Sequence, residues 1–159
     1  FSRYGTAPIA DAPADRTDVA RVARDVLDLE RMGEEGITWE ETIPDRPALA
    51  AGRDRELREV LLNLLENARL ARATRIALVV TVNADGSVEV SVRDDGVGIA
   101  PNLLPRIFEP HFSTRTSGSG LGLAVSRRLV EGWGGAITAE SDVGRGTVIR
   151  VRLAPPPSH

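Results

Sequence analysis

The sequence predicts an α/β fold. Three stretches repeat apolar residues at helical spacing, and five alternate them as half-buried strands do. With 159 residues, 42% of them hydrophobic and 27% charged, the chain suffices for one domain with a full core.

Residues 1–15 are rich in Ala and Pro and read as a linker or the frayed end of another element. Thr17 or Asp18 can cap a first helix running to about Arg31, with Val19, Val22, Ala23, Val26, Leu27 and Leu29 on its apolar face. Ile37 to Ile43 alternates as a strand, and Pro44 and Pro47 break the chain before Ala48. The second helix is expected over Asp54 to Arg72, burying Leu57, Val60, Leu61, Leu64, Leu65 and Ala68. Arg75–Val82 and Ser87–Arg93 are predicted strands joined by an Asn83–Gly86 hairpin turn. Residues 101–119 read as one long irregular loop, and loops of that length in a compact domain are usually functional. A third helix follows to about Glu131, where Gly132-Trp133-Gly134-Gly135 stops it. Ala136–Ser141 and Thr147–Leu153 close the chain as strands around a Gly144–Thr147 turn, and residues 155–159 form a tail.

Three places in this framework can carry chemistry. Gly118, Gly120 and Gly122 alternate with Ser119, Leu121 and Leu123 just before the third helix. A glycine run opening a helix is either an anion seat, where unpaired N–H groups and the helix dipole meet a phosphate, or a tight turn. Asn63 and Asn67 lie one turn apart on a leucine-rich helix, a poor place for asparagine unless it has a polar task. The alternative is a pair of solvated amides. Asp94-Asp95-Gly96-Val97-Gly98-Ile99 puts carboxylates at a strand end before two glycines, which suits either a ligand-accepting carboxylate or a plain Asp-Gly turn.

Composition removes several classes. All 20 basic residues are arginine, so the chain lacks the lysine of a Walker A loop and of eukaryotic-type protein kinases. A net charge of −3 provides no basic field for nucleic acid, and the absence of cysteine excludes disulfides and thiolate metal sites. No apolar run is long enough to cross a bilayer.

In their order, the motifs resemble the catalytic ATP-binding domain of bacterial sensor histidine kinases, within the superfamily shared with DNA gyrase, Hsp90 and MutL. Asn63-Leu64-Leu65-Glu66-Asn67 resembles the N box and Asp94-Asp95-Gly96-Val97-Gly98 the first glycine box. Phe108-Glu109-Pro110-His111-Phe112 resembles the F box, Gly118–Leu123 the second glycine box and Gly144–Thr147 the third. The resemblance covers residues 17–154 and implies a two-layer α/β sandwich, a mixed, largely antiparallel sheet packed against helices.

It also implies roles. Asp94 would accept from the adenine amino group, with Gly96 and Gly98 letting the backbone pass the base. Asn67 would hold Mg²⁺ and Asn63 would lie by the phosphates. Gly118, Ser119, Gly120, Leu121, Gly122 and Leu123 would wrap the phosphate chain, and Ile99 and Phe108 would line the nucleotide. Thr147 would support Asp94, the long loop between the two glycine boxes would cover the nucleotide as a lid, and Arg115 would be the lid cation reaching the γ-phosphate. The implied cofactors are ATP and Mg²⁺. The implied partners are a histidine-bearing dimerisation domain and a response-regulator receiver domain, with no nucleic acid and no membrane contact.

Departures from the family pattern are informative. Gyrase-type relatives have a water-activating glutamate where this chain has Asn63, which favours transfer to another protein over hydrolysis. Leu70 stands where many members have lysine, so Arg69 or Arg72 is expected to substitute. Only His111 and His159 are present and neither has the surroundings of a phosphoacceptor. Phe1-Ser2-Arg3 resembles the end of the dimerisation helix in nitrogen-regulation-type kinases, so residues 1–16 are expected to be its remnant and the chain a monomer. The expected location of this segment is the cytoplasm, with a membrane anchor elsewhere in the parent protein left open. The weighed alternatives are an anti-sigma-type serine kinase of the same superfamily and a module that binds nucleotide without transferring phosphate.

Overall fold

The computed structural model describes residues 15–33, 36–110 and 122–157. The chain runs β1 (Asp15–Asp18), α1 (Val19–Gly33), β2 (Thr38–Thr42), β3 (Leu49–Gly52), α2 (Asp54–Leu70), β4 (Arg75–Val82) and β5 (Val88–Asp94). A 3₁₀ turn (Leu104–Arg106), α3 (Gly122–Gly132), β6 (Ala136–Asp142) and β7 (Gly146–Leu153) complete it.

Five strands form one sheet in the order β2-β4-β5-β7-β6. β2 joins β4 in parallel, and the other three pairings are antiparallel. Period-two alternation gives the sheet two unlike faces. Ile76, Leu78, Val88, Val90, Val151 and Leu153 point inward and are buried, while Arg75, Arg93 and Glu140 on the other face are exposed. The inward face packs against the helices, which bury Val19, Val26 and Leu27 of α1, Leu57, Leu61, Leu64 and Leu65 of α2, and Val130 of α3. Leu29, expected on the apolar face of α1, is exposed, because two residues beyond Leu27 the helix has turned away from the sheet. The architecture is therefore a helical layer over a mixed, mainly antiparallel sheet, as the sequence predicts. Among the described residues no helix is long and apolar enough to cross a membrane.

Two strands differ from the sequence expectation. β1 and β3 pair antiparallel as a separate two-stranded ribbon, Asp15 opposite Gly52 and Asp18 opposite Leu49. Both segments are short, and their Asp, Arg, Ala and Gly residues carry no alternation to read. Tertiary contacts hold them instead. Ala51 N–H donates to the Ala154 carbonyl at 2.9 Å, joining the ribbon to the end of β7. The buried Thr17 hydroxyl donates to Asp54 at the start of α2, and Arg21 reaches the same carboxylate at 2.8 Å. Nearby, Trp133 Nε1 and Arg53 both donate to Glu56 at 3.1 Å. The first turn of α2 is thus pinned to α1, the ribbon and the end of α3, which fixes the helix carrying Asn63 and Asn67.

At its other end α2 stops in a left-handed residue, Arg72 (φ +64°), and Ala73 N–H returns to the Ala68 carbonyl at 3.2 Å. This closing turn is the wall against which the segment after β5 packs: Val97 N–H donates to the Ala71 carbonyl at 2.9 Å.

Candidate functional site

The alternation of β5 decides the geometry. Val88, Val90 and Val92 face the helices, so Asp94 at the strand end does too, and it is only 5% exposed. A carboxylate buried that deeply needs hydrogen-bond donors. Its Oδ1 accepts from Gly96 N–H at 2.8 Å. Asp95 faces the other way. Its carboxylate accepts from Thr74 N–H and Oγ1, both at 2.8 Å, and from Arg75 N–H at 2.9 Å, clamping the start of β4. The two adjacent aspartates therefore have separate tasks, one inside the site and one holding the sheet.

The donors around Asp95, led by the Arg75 backbone N–H, hold its carboxyl below the ordinary aspartate range. A depressed folded-state value adds stability that is complete above the unfolded value and disappears as pH falls through the folded one. Asp95→Asn is accordingly expected to be less stable than wild type at neutral pH. The gap in Tm should close as pH drops below the ordinary aspartate range, and melting curves at stepped acid pH would check it. A gap unchanged down to the lowest pH would contradict the assignment.

The loop after Asp94 is anchored by groups that carry no signal in the sequence. Ile99 N–H donates to Ser141 Oγ at 2.7 Å, and Ser141 Oγ donates to the Gly146 carbonyl at 2.9 Å. With that hydrogen committed, the Thr147 hydroxyl, 2.8 Å away, donates to Ser141. Thr147 is opposite Asp94 in the β5–β7 register and is buried, but its hydroxyl bond goes to Ser141. Gly96 and Gly98 are confined by the chain itself: an added Cβ would lie 2.5 Å from the Ala71 carbonyl oxygen at Gly96 and 2.2 Å from that of Asp142 at Gly98. A single hydroxyl in a strand gives no sequence signal, so Ser141 could not be found without the fold.

On α2, Asn63 and Asn67 are both half-buried. Asn63 Nδ2 donates to the Gly122 carbonyl and to Ser126 Oγ, each at 3.1 Å, so it links α2 to the first turn of α3. Gly122 and Leu123, the end of the glycine-rich run, begin α3 as expected. Gly118, Ser119, Gly120, Leu121, Arg115 and His111 lie outside the described residues.

The long loop expected over residues 101–119 is not irregular throughout. Residues 104–106 form a 3₁₀ turn, Ile107 is buried, and Phe108 packs half-buried against the core. The Arg127 guanidinium of α3 sits 5.8 Å from the Phe108 ring centroid. The run of Pro and polar residues hid this anchor, because two apolar side chains have no period. The two expected lysine substitutes also part. Arg69 pairs with Glu30 and lies 5.7 Å from the Trp39 ring, on the α1–β2 side of α2, while Arg72 is exposed in its left-handed turn.

The donor set suits magnesium only with help. Among the described residues no three His, Cys, Asp or Glu side chains converge to hold a metal. The amide oxygens of Asn63 and Asn67 are neutral, hard and one turn apart, which fits a cation that keeps waters and takes phosphate oxygens as its other ligands. A cleft of about 350 Å³ backs the same strand ends on the solvent face, where Arg75 pairs with Glu40.

The chain is matched over residues 52–157 by the family model described as histidine kinase-, DNA gyrase B-, and HSP90-like ATPase. It is 46% identical over 117 residues to the sensor histidine kinase ZraS of Klebsiella oxytoca, covering 70% of this chain and 25% of that protein. Among solved structures, the mycobacterial sensor histidine kinase MprB superposes with a TM-score of 0.79 at 28% identity, covering 91% of this chain and 99% of the other. Full-length ShkA in complex with AMPPNP superposes with a TM-score of 0.74 at 30% identity, covering 97% and 33%. The chain spans about a quarter of the length of the curated relative it matches at 46% identity.

Proposed function

This chain belongs to the histidine kinase-, DNA gyrase B-, and HSP90-like ATPase family, and from that premise we propose that it is the catalytic ATP-binding domain of a two-component sensor histidine kinase. The reaction proposed is transfer of the γ-phosphoryl group of ATP to a histidine on a dimerisation domain, for onward passage to a response-regulator receiver. The catalytic unit proposed is residues 17–154, and Asp15 and Arg16, which pair with β3 as the start of β1, extend it at its N-terminal side. Its place is the cytoplasm.

The observation that carries this reading is the buried Asp94 at the end of β5, facing the helical layer that also holds the amide pair of α2. Asp94 receives the adenine amino group, and Ile99 and Phe108 line the base. Thr147 supports the strand end behind Asp94. Asn67 and Asn63 receive the metal and phosphate end, Gly118 to Leu123 wrap the phosphates, and Arg115 meets the γ-phosphate. Bound magnesium would neutralise developing charge on the phosphate oxygens. In the transfer, the imidazole nitrogen of the acceptor bonds to the γ-phosphorus, the bond to the bridging oxygen breaks, and ADP leaves. Asn63 cannot take a proton from water, so the domain positions nucleotide for a protein nucleophile instead of activating water.

Calorimetry of the chain with ATP, with and without Mg²⁺, tests the reading: saturable binding strengthened by Mg²⁺ is expected, and no heat at millimolar ATP would sink it. Phosphorylation of a supplied dimerisation domain then tests the metal end. Asn67→Ala should lower the rate by about 10- to 100-fold, as loss of a metal-orienting group does. An unchanged rate would remove Asn67 from the metal site.

A further inference from the structure

Ser126 lies on α3 and is fully buried. A buried hydroxyl costs stability unless it is hydrogen-bonded, and an alanine would fill the same position without that cost. Its partner is Asn63 Nδ2 at 3.1 Å, and the second partner of that nitrogen is the Gly122 carbonyl, also at 3.1 Å. The carbonyl settles the orientation of the amide. A carbonyl oxygen only accepts, so the group facing it must be the NH₂; the flipped amide would set oxygen against oxygen. Two acceptors use both amide hydrogens. What Asn63 has left is Oδ1, an acceptor that makes no hydrogen bond among the described residues.

We propose that Ser126 is a positioning residue for the phosphoryl-transfer site: with the Gly122 carbonyl it holds the Asn63 carboxamide so that Asn63 acts as an oxygen ligand and not as a phosphate donor. The proposal rests on the nucleotide reading above and deepens it at one atom. An NH₂ directed at the γ-phosphate would bind ATP with or without metal. A fixed amide oxygen repels phosphate oxygens and favours a cation or a cation-bound water, so it adds affinity only when Mg²⁺ accompanies the nucleotide. Without Ser126 the amide keeps one tether and gains rotational freedom, which weakens that preference. The same tether joins α2 to the first turn of α3, which holds both Gly122 and Ser126.

The test measures ATP affinity by calorimetry across a Mg²⁺ titration for wild type, Ser126→Ala, Ser126→Thr, Asn63→Ala and the double variant Asn63→Ala/Ser126→Ala, with Tm recorded for each. Ser126→Ala should leave metal-free ATP affinity within about twofold and reduce the Mg²⁺-dependent gain about five- to tenfold, the scale of one lost hydrogen bond. Ser126→Thr, which restores the hydroxyl, should recover most of that gain if its Tm shows that the methyl group fits. In the Asn63→Ala background, Ser126→Ala should have no further effect on the Mg²⁺ dependence, because the amide it orients is gone. Equal losses with and without Mg²⁺, or the same loss in both backgrounds, would overturn the proposal and leave Ser126 a packing residue. Wild-type binding of Mg²⁺-ATP that Ser126→Ala matches at every Mg²⁺ concentration would overturn the positioning role alone. A wild-type chain that binds no ATP would overturn this proposal and the nucleotide reading together.

Discussion

Asp94→Asn is expected to lower ATP affinity by two to three orders of magnitude in calorimetry while the chain stays folded. The carboxylate is buried and one oxygen is held by Gly96 N–H at 2.8 Å. An asparagine must keep its oxygen on that N–H, because turning the amide would oppose two donors. Its NH₂ then takes the other side of the group, where the adenine amino group would otherwise find an acceptor. The variant thus replaces a charge-assisted hydrogen bond, worth about 1.5–3 kcal/mol, with a donor facing a donor, a further 1–3 kcal/mol at a desolvated contact. A loss of about 3–4 kcal/mol is about 100- to 1,000-fold in affinity. Asp95→Asn is the matched control. It changes the neighbouring carboxylate, which clamps Thr74 and Arg75 on the opposite face, and should leave affinity within about threefold, as expected for a change that touches no ligand group. Comparable losses in both variants would mean that the aspartates act through the sheet and that Asp94 does not read the base.

That comparison also shows where the sequence was legible. The strand β5 was readable from its alternating valines, and alternation alone places Asp94 inward and Asp95 outward. Helix α2 was readable because Leu57, Leu61, Leu64 and Leu65 repeat at helical spacing over 17 residues. The amide stripe of Asn63 and Asn67 stood out against that leucine background. Groups whose meaning comes only from distant partners were not readable. Ser126 became informative once Asn63, 63 residues away in sequence, was found on it, and Ser141 once Ile99, 42 residues away, was found donating to it. The ribbon strands β1 and β3 escaped for the same reason: they are short, and pairing across the fold, not local pattern, makes them strands. Arg69 was a fair candidate for a phosphate contact by proximity in sequence. Its place two residues beyond Asn67 turns it to the far side of the helix, where Glu30 and Trp39 occupy it.

Gly146→Ala is expected to cost about 3 kcal/mol of stability, a fall in Tm of about 6–12 °C for a chain of this size, and to weaken ATP binding as well. Gly146 opens β7 with φ +118°, a region that L-residues avoid. An added Cβ would lie 1.9 Å from the Asp94 carbonyl oxygen and 2.9 Å from the Asp95 Cα. These are backbone atoms at the paired end of β5 and the residue after it, so no side chain can swing away to relieve the clash. Either β7 must leave β5 at the Asp94–Thr147 pair or the strand end must shift. Both moves carry Asp94 with them, and both disturb Ser141, whose hydroxyl donates to the Gly146 carbonyl and supports Ile99. Stability and ligand affinity therefore fall together, unlike in Asp94→Asn, where affinity falls alone. Gly144→Ala, two residues earlier in the same turn, separates the causes. It also has a positive φ, +83°, but its Cβ would meet nothing within 4 Å. It carries only the backbone strain, about 1 kcal/mol, and should bind ATP as wild type does. Thermal melts and ATP titrations of the two alanine variants check the pair: equal losses would show that turn strain, and not the approach of Gly146 to Asp94, sets the requirement for glycine.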